Sequence, residues 1–102
     1  MYMQTYKKQD VLLAVQNIFP EKDVQIVMMI LDKYGAGSDE HGCSRVQLAI
    51  LKLSNNKIEK VKEYVDKANQ DFRDVLYWAE YTKEDKRIEN PYEVLFGPPR
   101  VL

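Results

Sequence analysis

Four side chains able to ligate a metal, Asp39, Glu40, His41 and Cys43, lie within five residues of one another. Thiolate and imidazole suit zinc or another borderline metal, and carboxylates can complete its shell. A structural zinc site normally draws on two separated ligand pairs, and no second pair exists here. Any site must therefore borrow carboxylates from elsewhere in the chain or from a second subunit. The competing reading is a polar loop ahead of a helix. Cys43 also offers a thiol: helix N-terminal amides favour the thiolate, and His41 is its candidate base. His-x-Cys in a glycine-rich loop fixes no such geometry, and cysteine more often serves as a small buried hydrophobe.

Arg73 stands between Asp71 and Asp74, with Tyr77 one helical turn on. Such a run forms a solvated face or a structural ion pair, or, if Arg73 points into a cleft, a contact for a carboxylate or phosphate. The structural pair is the favoured reading. Tyr77, Trp78 and Tyr81 cluster near one helix end, with Tyr64 several turns earlier. Tyrosine and tryptophan bury much area while keeping a polar tip, which suits an interface. Cover by the C-terminal tail explains them equally well. No glycine-rich phosphate loop, Ser/His/Asp grouping or His-Glu-x-x-His is present, so no catalytic residue is assigned and no cofactor is expected.

The elements that must position these residues are helical. A chain of 102 residues, 45% hydrophobic and 30% charged, fits one globular domain, residues 1–102. Fifteen basic against sixteen acidic residues leave a net charge of −1 and no field that draws nucleic acid. One cysteine allows no internal disulfide, which points to a reducing, cytoplasmic setting. The longest near-apolar run, residues 24–31, is far short of the ~20 residues a membrane span needs.

Apolar spacing predicts four helices. The first covers about 6–19, with Thr5 as cap, and is ended by Pro20. The second covers about 21–34, so apolar all round that it is expected to be the most buried. The third runs to Leu53 and begins near Ser44, with Gln47 as its capping-box partner, or earlier with Ser38 as its cap. The fourth covers about 57–81, with Asn56 and Glu59 as a second capping box. Its seam, Ile58, Val61, Val65, Ala68, Phe72, Val75 and Ala79, alternates three and four residues apart without interruption. After a charged stretch, Asn90-Pro91-Tyr92-Glu93 starts one short turn to Phe96, whose Tyr92, Leu95 and Phe96 pack back onto the domain. The expected fold is all-α: a compact four-helix bundle with a short C-terminal turn, helices two and four at its centre, and residues 83–102 as a tail folded back.

The block Arg45-Val-Gln-Leu-Ala-Ile-Leu-Lys-Leu53, with Ala68, Asp71-Phe-Arg-Asp-Val-Leu76 and Ala79-Glu80-Tyr81, resembles a pattern in small bacterial all-helical proteins with no assigned activity. The resemblance covers roughly residues 45–81. Those proteins carry tyrosine where Phe72 stands and proline where Thr82 stands. It implies the helical fold and assigns no site. The expected function is a non-enzymatic protein–protein interaction or regulatory domain, homodimeric, with Tyr64, Tyr77, Trp78 and Tyr81 at the interface. The alternative is a metal- or small-ligand-binding domain using Asp39–Cys43.

Overall fold

Helix termini follow from local chemistry. The computed structural model describes residues 6–34 and 43–97. The first helix, α1 (Lys8–Ile18), starts after an extended Lys7. The Lys7 amide donates to Asp10 Oδ2 at 2.8 Å, which fixes the first turn. Lys7 thus holds the cap position expected for Thr5, a residue outside the described range. Extended backbone at Phe19 and Pro20 separates α1 from α2 (Glu21–Leu31). The central helix α3 (Cys43–Ser54) is stopped by two successive asparagines in the left-handed region, Asn55 (φ 53°) and Asn56 (φ 64°). Asparagine tolerates that region better than most residues with a Cβ. Lys57, not Asn56, then caps α4 (Ile58–Glu80), without a side-chain bond, so the expected Asn56–Glu59 capping box does not form.

The molecule is all-α, with four helices and one 3-10 turn, Glu93–Phe96, among the described residues. None of these helices is long and apolar enough to cross a membrane. The core draws on every element, from Val11 and Val15 through Leu31, Leu48 and Ile50 to Val61, Val75, Tyr92 and Leu95.

Two expectations about the core are corrected. The most enclosed helix is α3, not α2. Six consecutive residues, 46–51, are buried all round it, because α4, α1 and the 3-10 turn all pack against it. In α2 only Val27, Ile30 and Leu31 are buried, while Ile26 and Met29 stay 47% and 62% exposed. Its apolar surplus faces outward. The Ser44–Gln47 capping box is also absent. Helix α3 already includes Cys43, and Gln47 is buried with its Nε2 donating to the Leu31 carbonyl at 2.9 Å. Its side chain closes the gap between α2 and α3 instead of capping.

The larger correction concerns α4. Asp71 is extended (φ −161°, ψ 100°), so the helix is broken into arms of residues 58–70 and 72–80. In a straight helix, Tyr64 and Trp78 would be separated by ~21 Å along the axis. Their ring centroids lie 6.3 Å apart. The arms therefore form a sharp corner around α3. Within each arm the seam holds: Val61, Val65 and Ala68 are buried in the first, Val75 and Ala79 in the second. Phe72, a seam residue by spacing, is 45% exposed at the corner.

After α4 the charged stretch makes a tight reversal. Thr82 N–H donates to the Lys86 carbonyl at 2.8 Å, and Ile88 N–H to the Glu80 carbonyl at 2.8 Å. This brings the 3-10 turn back over α1 and α3. Tyr92 and Leu95 are buried there, as expected, but Phe96 is 40% exposed. The turn is too short to bury both Leu95 and its neighbour.

Candidate functional site

The second arm of α4 has two opposite faces. Inward, Val75 and Ala79 meet the core, and the carboxylate one position later, Glu80, is carried in with them. Glu80 is 2% exposed. Arg45, near the start of α3, donates to both its oxygens, through Nε to Oε2 at 2.8 Å and through a second guanidinium nitrogen to Oε1. Tyr92 Oη donates to Oε2 at 2.5 Å. The Tyr6 and Tyr92 rings meet edge to face, their centroids 5.6 Å apart. Burial by itself pushes the Glu80 carboxyl up. The bonds from Arg45 and Tyr92, with the charges of Arg45 and Arg87, outweigh burial and hold it below the ordinary carboxylate value. Burial, then the Glu80 bond, pushes the Tyr92 hydroxyl up, so it remains a donor. One ion pair with a hydroxyl thus ties α3, α4 and the tail together. Lys52 at the other end of α3 adds a second tie, donating to the Ala79 carbonyl at 2.6 Å, a cation at a helix C-terminus.

The exposed side of the same arm carries Tyr77 and Trp78, and Tyr81 follows at its C-cap. At 100° per residue Tyr77 lies opposite Val75 and Ala79, Trp78 lies on the flank beside them, and Tyr81 stands in extended backbone. Tyr77 and Trp78 are each 45% exposed. Tyr77 stacks on Tyr81 at 5.0 Å, and Trp78 meets half-buried Tyr64 across the corner. The four residues expected at an interface thus form two ring pairs, Tyr77 with Tyr81 and Trp78 with Tyr64, and Phe72 stands exposed at the corner. Sequence spacing placed Phe72 in the core, so it was missed.

Arg73 does not enter a cleft. Its Nε and one terminal nitrogen donate to the two Asp71 oxygens, both at 3.0 Å, and its side chain is 79% exposed. Residues two apart do not face each other on a continuous helix. The pair forms because Asp71 stands outside the helix, where it also accepts the Arg73 backbone N–H at 3.0 Å and caps the second arm. The Arg73 bond holds the Asp71 carboxyl below its usual value.

Asp39, Glu40 and His41 lie outside the described residues. Cys43 is half-buried as the first residue of α3, its Sγ donating to the Tyr34 carbonyl at 3.8 Å. Among the described residues no three His, Cys, Asp or Glu side chains gather as a metal site would require. A cavity of about 250 Å³ opens at the α3–α4 turn, between Asn17, Leu51, Lys52, Asn55, Asn56 and Val94. It is smaller than the roughly 300–1,000 Å³ of ordinary ligand sites.

The Arg45–Glu80–Tyr92 group was missed from sequence. Arg45 and Glu80 are 35 residues apart, and only the fold joins them. No family model, curated protein or solved structure matches the chain.

Proposed function

We propose that this chain is a non-enzymatic interaction module that binds a second copy of itself through the aromatic outward face of α4. One observation carries the reading: Tyr77 and Trp78 lie 45% exposed on a rigid helical arm, with Phe72 equally exposed at its start. Aromatic anchors on rigid elements are the usual source of binding energy at protein interfaces. Ile26 and Met29 leave a second apolar strip on α2. A net charge of −1 neither repels a second copy nor selects a strongly charged partner. The single cysteine suits a reducing compartment, and we place the protein in the cytoplasm.

The test is mass by light scattering across a dilution series from about 100 to 1 µM, a span that resolves micromolar affinities. The expected result is a dimer that dissociates on dilution, and a Tyr77→Ala/Trp78→Ala double variant that is monomeric throughout. A parent chain that is monomeric over the whole series overturns the reading.

A further inference from the structure

The exposed phenylalanine and the break beside it point to a specific mode of self-association. The seam from Ile58 to Ala79 keeps its three-four spacing straight through Asp71. Neither glycine nor proline lies between residues 58 and 80, so no residue type compels a break. The connection between the arms is one residue long. Its extended backbone is unstrained, and the Asp71 cap and the Arg73 clasp hold it. A straight α4 exchanges these exposed polar contacts for the backbone hydrogen bonds missing across residue 71, and it returns Phe72 to the seam.

A straight α4 cannot keep its second arm on its own α3. We infer that two copies exchange residues 72–97: α4 straightens at Asp71, and each second arm, with its 3-10 turn, packs on the α3 of the other copy. The contacts between the exchanged segment and the rest of the closed form are then remade between chains. Arg45 of one copy meets Glu80 of the other, Lys52 meets the opposite Ala79 carbonyl, and Trp78 meets the opposite Tyr64. The partner is a second copy because only this sequence supplies those matched groups. Exchange of an identical element through a short connection is a low-cost route to a dimer. The inference rests on the self-association proposed above but places the contact elsewhere, on the inward side of the second arm and not on its exposed aromatic side.

A mixing experiment tests it. One chain carries Cys43→Ser, Trp78→Phe and Tyr64→Cys, the new thiol bearing a short-range nitroxide quencher. It is unfolded with the unmodified chain in denaturant and refolded at an excess of the labelled partner. Exchange places Trp78 of the unmodified chain against the label, so most of its fluorescence in the dimer fraction is lost. Introducing Phe72→Pro in both chains should abolish quenching and leave monomer. Proline fits the first position of the second arm but not the interior of a continuous helix. If Phe72→Pro fails to fold by circular dichroism, Asp71→Ala supplies the test in the opposite direction: it removes cap and clasp and should raise the dimer fraction several-fold. A dimer without quenching overturns exchange and leaves surface association standing. A monomer at every concentration overturns both, and a dimer fraction unmoved by Asp71→Ala overturns exchange.

Discussion

Glu80 is a carboxylate with strong donors on both oxygens and almost no access to water, and its environment decides what a substitution does. Glu80→Gln keeps the shape but turns one acceptor into a donor facing Arg45 or Tyr92. Arg45 is 40% exposed and regains water, whereas buried Tyr92 does not. The expected cost is about 2–3 kcal/mol, within the range for hydrogen bonds to charged groups, read as a midpoint shift in urea. Gln47 contrasts with it. Among the described residues its buried Oε1 has no partner, and the Leu31 carbonyl that its Nε2 serves also accepts from the Tyr34 amide at 3.0 Å. Gln47→Met removes an orphan acceptor and leaves that carbonyl bonded, so stability should stay within about 1 kcal/mol. A larger loss in the melting curve would show that the amide has a role beyond this bond. Neither residue was legible in the sequence. A glutamate after Ala79 and a glutamine after Val46 look like ordinary polar positions until the neighbours that enclose them are known.

The four helices were legible from spacing alone, because three-four apolar periodicity reports which side chains share a face. The break in α4 was not. Spacing describes azimuth around an axis and is silent on whether the axis continues. The only local sign was Asp71 three residues before Asp74, an arrangement that suits a helix start as well as an ion pair. Substitution separates seam from corner. Val65 is 3% exposed, so Val65→Asp carries a charge into the apolar core. It should cost at least about 3 kcal/mol and leave little folded protein by circular dichroism. Phe72→Asp changes a residue of the same seam, yet it should cost the folded monomer no more than about 1 kcal/mol, since that side chain is already half in water. The order of burial was also misread. Apolar content placed α2 at the centre, but α3 is enclosed because it has neighbours on every side, which its own composition does not record.

For the molecule as a whole, the Arg45–Glu80–Tyr92 group shapes stability against pH. The Glu80 carboxyl is held below its unfolded value of about 4.3. Its contribution is therefore complete above that value and declines as pH falls through the lower folded value. Tyr92 is raised, so its contribution is complete below about pH 10 and declines as the unfolded hydroxyl ionises. Urea midpoints should be flat between these limits, fall on both flanks, and lose part of the acid decline in Glu80→Gln. An acid limb identical in that variant would assign the decline to other carboxylates. The enclosure of α3 also has a consequence for synthesis. A ribosome makes α3 before the second arm of α4, and makes Tyr92 and Leu95 later still. A chain released after residue 87 lacks Tyr92 and Leu95 and leaves uncovered the greasy side chains of α1 and α3 that the 3-10 turn packs on. Truncations there should be captured by chaperones or degraded, whereas release of the remaining residues lets the last layer close.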